Sequence, residues 1–197
     1  LDDVLLCGPS GTGKSSYAAL LSNELGGLPI TEVFCTSISS VADLNAVLLS
    51  VGDGILFLDE IATLQPPQQH ALLEVMDKRR ISVNGGKTSI PLGSFVIVGA
   101  TTDPDMLIGP LLMRFRIQLQ LDFLTEEELA LIVKQRCHAL GWDHEPELLM
   151  EIAKRGRQTP RVALRWLQSA RRCQTAERAD RITVAHLRKA CEIERIS

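Results

Sequence analysis

The sequence predicts an α/β domain built on a parallel sheet, followed by a small all-helical domain. Three observations carry this. Short apolar, often β-branched runs at 4–7, 30–35, 55–58, 95–99 and 117–121 mostly lack clean alternation, as strands covered on both faces do. Helical patterns at 15–25, 41–50, 67–78 and 104–113 lie between them, and strand-helix alternation implies parallel pairing. Of the 14 glycines, 12 lie up to Gly109 and only Gly141 and Gly156 follow, so the turn-rich half is the first.

Taken in order, the run at 4–7 feeds directly into a glycine-rich loop, and the helix at 15–25 follows it. The run at 55–58 ends in two carboxylates, and the run at 95–99 leads into Ala100-Thr101-Thr102. After residue 124 every pattern is helical. Thr125-Glu126-Glu127-Glu128 is a capping box, and Leu129, Ile132, Val133, Cys137 and Leu140 then keep a helical period. A second helix is expected at about 146–155. A third opens at Thr159-Pro160, where threonine can cap and proline suits the first helical position. Its Val162, Trp166, Ala170 and Cys173 share one face. Thr183 is expected to cap a fourth, carrying Leu187, Ala190 and Ile193. The expected domains are therefore 1–124 and 125–197. Charge follows the same line: net −6 in the first and +3 in the second, −3 in all.

Composition excludes several classes. With 45% apolar and 23% charged residues in 197, the chain is neither disordered nor collagenous. No apolar run reaches the ~20 residues of a membrane helix. Leu1-Asp2-Asp3 does not read as a basic leader, and with no initiator Met the sequence is expected to be a piece of a longer protein. Five widely spaced cysteines without a C-x-x-C pair exclude a disulfide framework or zinc site and predict reduced, buried thiols in a cytoplasmic protein.

Gly8-Pro9-Ser10-Gly11-Thr12-Gly13-Lys14-Ser15 matches G-x-x-x-x-G-K-[ST]. The glycines let the backbone curl so that successive N–H groups point at phosphate oxygens. Lys14 would reach the β- and γ-phosphates, Ser15 would ligate Mg²⁺, and the following helix adds its positive end. The loop stands between an apolar strand and a helix, as this mechanism requires.

Ligands bind at the carboxyl ends of parallel strands. Asp59 would thus join Ser15 on the metal, and Glu60 would be the general base that orients the attacking water. Thr102 would hold that water or read the γ-phosphate; ordinary strand-end capping is the alternative. Arg114, flanked by apolar Met113 and Phe115, suggests a placed guanidinium, with a surface ion pair as the alternative. Arg161 sits at a helix start, against the dipole, which suggests an anionic partner; a solvated side chain is the alternative.

These residues together resemble an AAA+ ATPase, and within that class the RuvB family, the bacterial Holliday-junction branch-migration motors. The resemblance runs along essentially the whole chain. Leu56-Phe57-Leu58-Asp59-Glu60-Ile61 is similar to the family's Walker B, and Val98-Gly99-Ala100-Thr101-Thr102 to its sensor 1. Pro110-Leu111-Leu112-Met113-Arg114-Phe115 resembles its arginine-finger segment, and Thr159-Pro160-Arg161-Val162-Ala163 its sensor 2. The resemblance implies a five-stranded sheet of order 5-1-4-3-2, flanked by helices, and a helical lid. It implies Arg114 acting in trans and Arg161 in cis on ATP, with Pro160 and Leu124 beside the nucleotide. It also implies a ring of identical subunits, usually a hexamer, and double-stranded DNA held by segments this chain lacks. A RuvA-like partner would meet the hairpin at 81–92, turning at Asn84-Gly85-Gly86. No membrane partner is expected.

The sequence departs from the family at Ser10, Ala62, Arg116 and Leu124, where Pro, His, Gly and an aromatic are usual, and its hairpin is shorter. Two other function classes fit the same motifs. One is another AAA+ enzyme, a clamp loader or transposition regulator. The other is a nucleotide-gated assembly module without useful turnover.

Overall fold

The structure is a computed structural model that describes residues 2–83 and 88–194. The described residues form two compact units: 2–10 with 14–121, and 11–13 with 122–194.

The first unit runs β1 (Val4–Cys7), α1 (Lys14–Glu24), β2 (Ile30–Phe34), α2 (Val41–Ser50), β3 (Gly54–Asp59) and α3 (Pro66–Lys78). A hairpin follows, β4 (Arg80–Val83) and β5 (Thr88–Pro91), then β6 (Phe95–Thr101), α4 (Gly109–Arg114) and β7 (Ile117–Gln120). Five strands pair in parallel in the order β2-β3-β6-β1-β7. Counted among themselves along the chain, they read 5-1-4-3-2, as the resemblance implied.

The period of two in a strand divides the apolar residues between the sheet's faces. Leu5, Leu56, Leu58 and Ile97 pack with Leu44 and Leu48 of α2 and Leu72 of α3. Val4, Leu6, Ile55, Phe57 and Val98 pack on the other face with Ala18 of α1. Burial on both faces removes any polar alternation from β1, β3 and β6, which are buried along almost their whole length. The edge strands β2 and β7 keep exposed positions, because an edge is only partly covered.

The predicted helix at 104–113 is two pieces: a 3₁₀ turn, Pro104–Met106, and α4 from Gly109. Pro110 explains the break, since a residue without an N–H belongs in a helix's first turn and not its interior. The hairpin strands pair antiparallel in a sheet of their own, Ile81 opposite Ile90. The predicted turn at 84–86 lies outside the described residues.

The second unit is helical: α5 (Glu126–Leu140), α6 (Pro146–Arg155), α7 (Pro160–Glu177) and α8 (Val184–Glu194). Leu129, Val133, Cys137, Ile152, Trp166, Ala170 and Leu187 form its core. The capping box is present: Thr125 Oγ1 accepts from Glu128 N, and the Glu128 carboxylate from Thr125 N. Thr159 does not cap with its side chain, whose hydroxyl donates to Gly156 O instead. Thr183 Oγ1 accepts from His186 N at 3.4 Å, as a cap should. Leu140 and Ile193 are exposed despite their periodic positions, each standing in the last turn of its helix.

All five cysteines are free, four of them buried. Among the described residues no helix is long and apolar enough to cross a membrane.

Candidate nucleotide-binding site

β1 ends at Cys7, and the loop leaves it under tight steric control. Gly8 has φ +147°, and a Cβ there would stand 2.1 Å from the Leu121 carbonyl oxygen, so no side chain fits. Gly8 N donates to Thr101 O at 3.1 Å, which ties the start of the loop to the end of β6. Gly11 and Gly13 are also left-handed, at +86° and +106°. Lys14 opens α1 and is 7% exposed. Its Nζ donates to Gly8 O at 2.7 Å and to Pro9 O at 3.1 Å. The ammonium thus sits over the loop, satisfied by carbonyls that an incoming phosphate oxygen can replace. Burial pushes the Cys7 thiol pKa up, with the Lys14 charge opposing it.

Three central strands bring the other chemistry to the same end of the sheet. Cys7 stands opposite Thr101, and Leu58 opposite Gly99, so Cys7, Asp59 and Thr101 end adjacent strands. Asp59 Oδ1 accepts from Glu60 N at 3.1 Å. Glu60 is left-handed, φ 53° and ψ 49°, which costs a non-glycine residue about 1–3 kcal/mol. The backbone is fixed there: Glu60 O accepts from Thr63 N at 2.9 Å and from Thr63 Oγ1 at 2.8 Å. Strain held by hydrogen bonds that do not involve the Glu60 carboxylate leaves that group available. Beyond β6, Thr101 is fully buried and its Oγ1 accepts from Asp103 N. Thr102 Oγ1 donates to Asp103 Oδ2 at 3.0 Å on the exposed side.

Cys35, 1% exposed, follows β2, whose Phe34 is opposite Asp59. Burial first, then the charges of Asp59 and Glu60, push its thiol up to about 12. A pKa raised above the unfolded value means the native thiol keeps its proton while the unfolded one loses it. The stability this contributes is complete below pH 9 and is lost as pH rises toward 12. In the native chain at pH 8, Cys35 is expected to resist a disulfide reagent that labels the partly exposed Cys191. Thiol titration followed by peptide mapping checks this; prompt labelling of Cys35 would contradict its burial.

Arg114 ends α4. Its Nε lies 3.0 Å from Asp77 Oδ1, and a terminal nitrogen donates to Met76 O at 3.0 Å. The ion pair that sequence reading held open is therefore present, with a named partner on α3. In the second unit, Pro160 is the first residue of α7 and Arg161 N donates to Gly11 O at 3.4 Å. Arg157 and Gln158 are both left-handed, φ 46° and 59°, so this motif is approached through a strained turn. Leu124 N donates to Gln158 O at 2.9 Å, and its side chain packs against the helical core.

Sequence reasoning missed Asp77, Gln69 and Asp103. Only the paired glutamines in an otherwise amphipathic stretch hinted at Gln69; a lone surface-type aspartate such as Asp77 carries no signal.

The family model of the Holliday junction DNA helicase RuvB P-loop domain matches residues 1–121, and that of the RuvB AAA lid domain matches 124–197. The chain belongs to the RuvB family. RuvB from Campylobacter jejuni, a Holliday junction branch migration complex subunit, is 38% identical over 178 residues, 87% of this chain and 53% of that protein. RuvB from Campylobacter lari is similar to the same extent. The chain thus spans about half the length of these relatives. A variant of Thermotoga maritima RuvB superposes with a TM-score of 0.88 at 34% identity, over 100% of this chain and 64% of that one. NtrX from Brucella abortus shares the fold at 18% identity, TM-score 0.68, over 88% of this chain and 46% of that one.

Proposed function

We propose that the chain is the ATP-hydrolysing core of a RuvB-type motor, coupling hydrolysis at subunit boundaries to DNA branch migration or translocation. One observation carries the reading: a phosphate loop, two carboxylates and a threonine pair end three adjacent parallel strands, in a chain matched by both RuvB family models.

Each residue then has a role. The backbone of Gly8, Pro9, Ser10, Gly11, Thr12 and Gly13 wraps the phosphates. Lys14 leaves its carbonyl partners for the β- and γ-phosphate oxygens. The Ser15 hydroxyl and Asp59 carboxylate are hard oxygen donors of the kind Mg²⁺ takes alongside phosphate oxygens and water, so the residues fit this ion. Mg²⁺ bound there supplies neutralisation of the phosphate charge. Glu60 accepts the proton of the attacking water and Thr102 holds that water. Arg114 reaches a neighbour's nucleotide; Arg161 stabilises charge within its own chain, with Pro160 and Leu124 beside the nucleotide.

The assembly proposed is a homo-oligomeric ring, a hexamer. Duplex DNA is held by the portion of such proteins that this chain does not span. A RuvA-like partner meets the hairpin of β4 and β5, in a cytoplasmic setting.

ATP turnover by the chain, with and without Mg²⁺ and with Lys14→Ala alongside, tests the core of this reading. Turnover is expected to require the ion and to fall by about 10²-fold or more in the variant. Equal turnover by Lys14→Ala would overturn it.

A further inference from the structure

α3 grips α4 at both ends. At the start, the Gln69 side chain, 2% exposed, reaches out of α3. Its Nε2 donates to Leu64 O at 2.8 Å and to Met106 O at 3.2 Å, and its Oε1 accepts from Ile108 N at 2.7 Å. Ile108 is the residue immediately before α4. At the finish, Asp77 and the Met76 carbonyl hold the Arg114 guanidinium through two different nitrogens. A long, flexible arginine is thereby fixed at its head and at the base of its helix. α3 itself opens at Pro66, just past Glu60 and the 3₁₀ turn Ile61–Thr63, and the first hydrogen bond of Gln69 lands on Leu64, the residue that follows that turn.

We propose that Asp77 and Gln69 are positioning residues for Arg114, presetting the guanidinium that one subunit offers to the next. This rests on the reading of Arg114 as acting in trans. The chemistry favours a preset over mere decoration. An arginine delivered to a phosphate must lose its rotamer freedom somewhere, and ordering it beforehand removes that cost from the reaction step. Arg114 and Asp77 are 35% and 51% exposed, so the pair is held without being sealed in. The same contacts hold Arg114, at the end of α4, against α3, the helix that follows Glu60, so the arginine a subunit lends is tied to the element next to its own Glu60.

Mixed assemblies test this. A donor chain carries Glu60→Gln, silent at its own site but with Arg114 intact; an acceptor carries Arg114→Ala with Glu60 intact. Mixing is expected to restore ATP turnover. Asp77→Ala added to the donor is expected to cut the restored turnover by about 10²-fold, at unchanged KM for ATP. Added to the acceptor, whose Arg114 is already gone, it is expected to leave the restored turnover within about twofold. Asp77→Asn on the donor, which keeps an oxygen for Nε, recovers most of the loss; Gln69→Leu on the donor follows Asp77→Ala. Equal losses on donor and acceptor would make Asp77 a folding residue only, and no loss on the donor would show that Arg114 needs no positioning. Either result overturns the proposal. A silent parent mixture, with both chains folded, would overturn the trans reading itself and this inference with it.

Discussion

Replacing Arg114 by alanine is expected to lower kcat for ATP by about 10³-fold or more, with KM for ATP little changed. The size follows from the role. A guanidinium on the γ-phosphate stabilises charge that is spread over oxygens in the transition state, and an arginine supplied in trans is worth about 10³–10⁵. KM is expected to be spared because ground-state binding is assigned, in the proposed function, to the phosphate loop and not to Arg114. The fold is spared as well. The Arg114–Asp77 pair is 35% and 51% exposed, and such pairs contribute about 0–1 kcal/mol. Steady-state kinetics with thermal unfolding alongside separates the two: kcat collapses while Tm stays nearly fixed. A large fall in Tm with a small fall in kcat would make Arg114 a structural residue.

Glu60→Gln is expected to remove about 10²–10⁴ of kcat while ATP still binds. The substitution is nearly isosteric and deletes the basic oxygen. It leaves the local geometry alone, because every hydrogen bond that holds Glu60 uses its backbone N–H or carbonyl. The left-handed conformation is therefore expected to survive in the variant. Nucleotide affinity by equilibrium titration and turnover by phosphate release are the two readouts. An assembly module without useful turnover predicts no change in either, so a loss of turnover with affinity kept decides against it.

How legible was this in the sequence? The strands of the sheet centre were readable because Leu5 and Leu56 face one core while Leu6 and Phe57 face the other, which leaves uninterrupted apolar runs. The phosphate loop was readable because its glycines are a backbone requirement: a Cβ at Gly8 would collide with the Leu121 carbonyl. Asp59 and Glu60 were readable from their place at a strand end. The break inside 104–113 could have been read from Gly109-Pro110, but the apolar residues on either side kept a helical spacing across it. What stayed hidden depends on tertiary geometry. Asp77 meets Arg114 across 37 residues of chain, and nothing near either residue marks the pair. Cys35 and the carboxylates of Asp59 and Glu60 come together only because β2 and β3 are neighbours. Glu60's left-handed backbone has no local signature, since glutamate is not a residue that favours it.

The central claim is that a catalytic arginine comes from the next subunit, and ATP hydrolysis per chain against chain concentration tests it most directly. With wild type and Arg114→Ala measured in parallel, specific activity is predicted to rise with concentration for the wild type and to stay near zero for the variant. Activity independent of concentration, equal in the two chains, would contradict a site shared between subunits.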